Sequence, residues 1–129
     1  MNQSWYVDDD QDMIQAMTMV LSLLEIEVRP FFTARAAVRA FEKGERPELL
    51  ILDINMPEVT GIDLLEYMRR DSAYDDMPII MLSSEHTDVQ VHEALNKGAD
   101  GYAMKPVTVD ELERVIDRAF EARKARNTN

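Results

Sequence analysis

The sequence predicts an α/β domain in which a parallel sheet of five strands carries helices on both faces. Short apolar runs alternate along the chain with segments of helical period, the pattern of strands joined by helical crossovers. The run "ELLILDI" at 48–54 has no inward–outward alternation, which suits a strand buried on both faces. Polar residues follow the apolar runs at once: Asp8, Asp53, Ser83 and Lys105. In open parallel sheets that edge, beyond the carboxyl ends of the strands, is where ligands bind.

Each element has its own signal. "SWYV" at 4–7 reads as a strand, and the helix after it places Met13, Ile14, Met17, Val20, Leu21 and Leu24 at helical spacing. "EVRPFF" at 27–32 is a weaker strand, placed at a sheet edge because Pro30 has no N–H for a ladder. Thr33 can cap the helix "ARAAVRAFEK", with Gly44 just past its end. After the strand at 48–54 come a helix at 61–70, the strand "PIIMLS", a helix at 88–97 stopped by Gly98, and the short strand "GYAM". Thr108 and Glu111 form a capping box for the last helix, whose expected buried stripe is Val109, Leu112, Val115, Ile116, Ala119 and Phe120. The basic stretch "EARKAR" is expected to be solvated and to offset that helix's dipole.

Length and charge narrow the function. A chain of 129 residues with 46% hydrophobic composition fits one domain with a real core. Fourteen Lys and Arg against twenty-five Asp and Glu leave a net charge of -11, which disfavours direct nucleic-acid binding and suits cations or basic protein partners. The chain has no Cys, hence no disulfide framework or thiolate metal site. No apolar run reaches membrane-spanning length and no signal-like leader is present, so no membrane insertion and a cytoplasmic location are expected.

An Asp at a strand's end often only caps a turn. Here Asp8, Asp9, Asp10 and Asp53 crowd one edge, and carboxylates repel by about 1 kcal/mol per pair in water at about 4 Å and roughly 4 at an intermediate dielectric. A hard divalent cation, Mg²⁺ or Mn²⁺, answers that repulsion, and Lys105 supplies a second positive charge. A carboxylate beside a cation, a lysine and a small hydroxyl can attack a phosphoryl group to give an aspartyl phosphate. Asp53 is the candidate nucleophile. A calcium-loop reading of "DDDQD" fails, since the required glycine and closing acid positions hold Met13 and Met19. Asp10 is expected to be a solvated neighbour, and His86 and His92 surface histidines.

The ordered set of strand-end residues resembles the response-regulator receiver domains of two-component signalling, chemotaxis regulators in particular, from about residue 4 to about 122. The resemblance implies a flavodoxin-like sheet of order 2-1-3-4-5, with 1–122 as the receiver and 123–129 as a basic, polar tail. Within "DINMP", Asp53 matches the phosphoacceptor. Asp9 would bind the metal directly, Asp8 largely through water, and Asp53 and the Asn55 backbone carbonyl would complete the protein's share. Ser83 matches the switch hydroxyl, Lys105 with Pro106 the invariant pair, and Tyr102 the switch aromatic. Asn55 and Glu85 would tune autodephosphorylation. Two departures stand out: Thr60 precedes Gly61 where the family usually has Asp, and Trp5 replaces a smaller aliphatic residue. Thr60 can still cap, and Trp5 is expected in the core.

The implied function is a phosphoacceptor switch that takes a phosphoryl group from a histidine kinase or a histidine-phosphotransfer protein. It would be a signalling switch rather than an enzyme, catalysing only its own Asp phosphorylation and autodephosphorylation. Its output would be a downstream protein docked on the fourth helix, fifth strand and fifth helix, near Val91, Tyr102 and Leu112. The alternative is a receiver module of a larger transcription factor or signalling enzyme. A haloacid-dehalogenase type of phosphatase ranks far behind, because its D-x-D motif would need an acid where Asn55 stands.

Overall fold

The computed structural model describes residues 2–84 and 87–127. Five parallel strands, β1 (Asn2–Val7), β2 (Ile26–Phe31), β3 (Leu49–Asp53), β4 (Ile79–Ser83) and β5 (Gly101–Met104), form one sheet in the order β2-β1-β3-β4-β5. Between and after them run α1 (Gln11–Leu23), α2 (Ala34–Glu42), α3 (Gly61–Arg69), α4 (Asp88–Asn96) and α5 (Val109–Asn127). The expected fold class and strand order are both present. Pro30 lies on the edge strand β2, opposite Tyr6 of β1, where its missing N–H costs no central ladder bond.

Strand alternation divides the core in two. Trp5, Val7, Leu50, Leu52, Ile79 and Met81 face one layer with α2, α3 and the buried Ala94 of α4. Tyr6, Leu49, Ile51, Ile80, Leu82 and Ala103 face the other, with Ile14, Met17 and Leu21 of α1 and Leu112, Ile116 and Ala119 of α5. Every residue of β3 and β4 is buried, as continuous apolar runs require. Trp5 packs between Phe31 and Phe41, at centroid distances of 4.8 and 4.6 Å, so the bulky departure is accommodated as core.

Local chemistry sets the helix ends. Asp10 is exposed as expected, yet it also caps α1, accepting from the Asp12 and Met13 N–H groups. Thr33, Thr60 and Thr87 cap α2, α3 and α4, and Thr60 with Asp63 completes a capping box. Thr108 Oγ1 accepts from the Glu111 N–H at 3.1 Å. Gly44 takes φ of +90° past α2, a left-handed conformation that favours glycine.

The C-terminal end departs from expectation. The basic stretch "EARKAR", expected to be solvated, continues α5, which runs to Asn127, and Arg123 within it is only 4% exposed. Phe120, expected in the buried stripe, is 39% exposed, because the helix turns Leu112, Ile116 and Ala119 inward and Phe120 falls beside that line. Arg123 Nε meets Asp100 Oδ1 at 2.6 Å, and Arg69 Nη2 meets Asp100 Oδ2 at 2.8 Å. Arg69 also donates to the carbonyls of Gly98, Tyr74 and Met77. This cluster joins α3, α5 and the start of β5 at the end of the sheet opposite Asp53 and Ser83.

Candidate functional site

The sheet ladder continues past the strand ends and so places the polar residues there. Asp8 N–H donates to Phe31 O at 3.0 Å, Ile54 N–H to Leu82 O at 2.9 Å, and Lys105 N–H to Ser83 O at 2.8 Å. Asp53 lies opposite Leu82, and Ser83 opposite Met104. Asp8, Asp53, Ser83 and Lys105 are thereby carried to one edge, four residues drawn from β1, β3, β4 and β5 or the positions just past them.

Asp8, Asp9 and Asp53 each offer a carboxylate oxygen, all within 4.8 Å of one another, with Asp8 and Asp53 buried and Asp9 exposed. Lys105 Nζ sits 2.8 Å from Asp53 Oδ1 and 3.2 Å from Asp8 Oδ2. The Asp53 contact is a close ion pair, and Lys105 is the only cation beside that buried Oδ1 among the described residues. One ammonium faces three acids, so the donor set fits a hard cation: oxygen ligands, net negative charge and one exposed carboxylate on the solvent side. Asp8 is already engaged by Asp10 N–H at 2.9 Å, by Lys105 and by the Tyr6 hydroxyl.

Burial raises the pKa of Asp53 to about 6; Lys105 pulls it down, Asp8 pushes it up, and the Asn55 backbone N–H pulls it down. Burial would lower Lys105, but its contacts with Asp53 and Asp8 outweigh that, and its pKa stands above the ordinary value. Burial, then the hydrogen bond to Asp8, hold the Tyr6 hydroxyl far above the usual phenol range. Tyr6 therefore stays protonated and donates.

Ser83 is buried, with its Oγ 3.5 Å from Asn55 Nδ2 and 3.4 Å from Gln90 Oε1. Tyr102, half-buried, donates its hydroxyl to the same Gln90 oxygen at 3.0 Å. Lys105 and Pro106 are joined by a cis peptide bond. Glu85 and His86 lie outside the described residues. His92 is exposed, as expected. On the face of α4, β5 and α5, Leu112 is buried in the core and presents no surface; the apolar exposure there comes from Val89 at 80%, with Leu95 and Met104.

Two contacts escaped sequence reasoning. Tyr6 points at Asp8 because residues two apart share a strand face, a relation that was readable from the spacing. Gln90 stands one helical turn before Ala94 on the inward side of α4; a polar side chain on that side was the available signal.

Gly61 fixes the other wall. A Cβ on Gly61 would lie 2.2 Å from the backbone oxygen of Asp53 and 2.9 Å from its carbonyl carbon, because α3 begins directly against that peptide, with Gly61 N–H on Ile54 O at 3.1 Å. Backbone cannot rotate away as a side chain can. Gly61→Ala is expected to lose about 1–3 kcal/mol of stability, read from the urea midpoint; a midpoint equal to that of the unaltered protein would show that α3 moves off at no cost.

The chain as a whole is similar to known proteins. The family model described as the response regulator receiver domain matches residues 5–117. Chemotaxis protein CheY1 of Helicobacter pylori is 35% identical over 114 residues, covering 86% of this chain and 90% of that protein. The crystal structure of the response regulator CheY4 of Vibrio cholerae superimposes with a TM-score of 0.82 at 29% identity, covering 92% of this chain and 98% of that one. A CheY-like receiver domain protein from Methanospirillum hungatei gives a TM-score of 0.83 at 27% identity, over 98% of each chain.

Proposed function

Because this chain belongs to the response regulator receiver family, we propose that Asp53 accepts a phosphoryl group from a phosphohistidine and that the phosphorylated domain switches a protein–protein contact. The observation that carries this reading is Asp53 itself: a buried carboxylate, 2.8 Å from the Lys105 ammonium, in a cluster with Asp8 and Asp9. A charge buried there costs folding free energy, which a functional role at this edge would explain.

An Asp53 carboxylate oxygen attacks phosphorus in line with the departing imidazole. The new O–P bond replaces the P–N bond, and the imidazole leaves with a proton from solvent. Asp53 needs no base, since with a pKa of about 6 it is mostly ionised at neutral pH. Lys105 pairs with a transferring oxygen while keeping its hold on Asp53 and Asp8. Asp9, Asp53 and the Asn55 carbonyl would hold Mg²⁺, with Asp8 acting through water, and the ion supplies charge neutralisation at the phosphoryl oxygens. Tyr6, Lys105 and the Asp10 N–H fix Asp8 in place for that task.

The phosphoryl group brings nearly two negative charges and several acceptor oxygens. Ser83 turns its hydroxyl to one of them and Tyr102 follows inward. The result is a shift between two populations of the α4–β5–α5 face, on which Val89, Leu95 and Met104 are exposed. The histidine donor belongs to a kinase or a phosphotransfer protein, and the match to chemotaxis regulators over most of their length supports a protein target as the output. Asn55, beside Ser83, and Glu85 would guide the attacking water and keep the phosphorylated form short-lived.

Incubation with acetyl phosphate and Mg²⁺ followed by intact mass tests the assignment. One phosphoryl adduct is expected, lost with EDTA and absent in Asp53→Asn. An adduct that persists in Asp53→Asn would move the acceptor elsewhere.

A further inference from the structure

Gln90 contacts both residues of the expected switch through one atom. Its Oε1 accepts from Ser83 Oγ at 3.4 Å and from the Tyr102 hydroxyl at 3.0 Å. Its own backbone N–H is held by Thr87 Oγ1 at 3.2 Å in the first turn of α4. The end of β4, the body of β5 and the start of α4 are thus tied through a single carboxamide oxygen. An amide oxygen has two lone pairs, so it can serve both hydroxyls at once.

We propose that Gln90 is a positioning residue that holds Ser83 and Tyr102 in the unphosphorylated arrangement and so sets how readily the domain switches. This rests on the reading of Asp53 as phosphoacceptor. A serine hydroxyl has one proton. It cannot donate to Gln90 Oε1 and to a phosphoryl oxygen on Asp53 together. The phosphoryl oxygen is the stronger acceptor because it is charged, and when Ser83 turns to it the carboxamide keeps only Tyr102. The side-chain link from Ser83 through Gln90 to Tyr102 then opens, while the β4–β5 ladder stays paired. Contacts made only in the resting state weight the equilibrium toward that state, so removing the acceptor favours the switched form.

Gln90→Met keeps the length of the side chain without the acceptor; Gln90→Glu keeps the acceptor. Beryllofluoride with Mg²⁺, a stable phosphoryl mimic, is titrated into each protein and followed by amide shifts of α4 and β5. The half-saturating concentration is expected to fall about five-fold in Gln90→Met, the worth of one net hydrogen bond, and not to fall in Gln90→Glu. In a Tyr102→Phe background the effect of Gln90→Met shrinks, which a merely structural role would not produce. An unchanged or raised half-saturation in Gln90→Met overturns the proposal. So does the absence, in the ligand-free protein, of proton–proton contacts between the Gln90 side chain and the Tyr102 ring. If the unaltered protein fails to bind beryllofluoride, or Asp53→Asn binds it equally well, the phosphoacceptor reading falls first and takes this proposal with it.

Discussion

Asp100→Ala is expected to cost the fold about 3–5 kcal/mol, the loss typical when one member of a buried ion cluster is removed. The Asp100 side chain is 0% exposed, with those of Arg69 and Arg123 at 10% and 5%. Its two oxygens accept from Arg123 Nε, Arg69 Nη2 and the Ile79 N–H. Alanine would leave two guanidinium groups facing each other and the Ile79 N–H without its side-chain acceptor. In a domain of 129 residues such a loss lowers Tm by roughly 10–20 °C. Asp100→Asn keeps the shape and part of the acceptor capacity, and is expected to fall between the two. Urea unfolding of all three proteins checks this. A loss below about 1 kcal/mol in Asp100→Ala would mean that the arginines reach water. Because the cluster lies at the far end of the sheet, the folded variant should still take a phosphoryl group from acetyl phosphate.

The second large effect has the opposite sign. Asp53→Asn is expected to abolish phosphoryl acceptance and to raise stability. The pKa of Asp53 is raised from 3.8 to about 6, burial outweighing the attraction of Lys105, so ionising it costs folding free energy. Stability from this group is complete below the unfolded-state value of 3.8 and is lost as pH rises through about 6. Near pH 7.5 and without divalent cations, the variant should gain on the order of 2 kcal/mol, somewhat less than the full shift because Lys105 loses a partner. The gain should vanish below about pH 4. Melting curves across this range settle the matter: a gap independent of pH would show that packing, not charge, separates the two proteins. Mg²⁺ should raise the Tm of the unaltered protein more than that of Asp53→Asn, since a ligand stabilises the state that binds it.

Both effects concern charges buried in a domain whose outline was readable beforehand, although only one of them was. The run from Leu49 to Leu52 announced a central strand because both its faces are apolar, and Asp53 drew attention by ending it. The strand-end residues were legible for the same reason: a short, strongly patterned strand fixes where its next residue emerges. Asp100 sits just before Gly101, at the opposite end of a strand, and nothing local distinguishes it from a turn acid. Its meaning depends on Arg69 and Arg123, which come from two different helices.

Phe120 and Arg123 show the limit from the other side. Helical period allowed Phe120 into the buried stripe and basic composition assigned Arg123 to solvent, yet the positions are reversed. Period gives the spacing of a face but not its centre or width, and here the packing of Leu112, Ile116 and Ala119 against the sheet decides both. Leu112 lies in the core, as the expected stripe required, so only its neighbours can belong to the docking face.

The sequence by itself determined the order of elements, the sheet buried on both sides and the line of acids, hydroxyl and lysine at its edge, because each depends on patterns a few residues long. Tertiary structure alone decided the Asp100 cluster, the start of α3 against the Asp53 peptide and the shared oxygen of Gln90. Those depend on distances between residues far apart in the chain, which are set only when the two core layers close on the sheet.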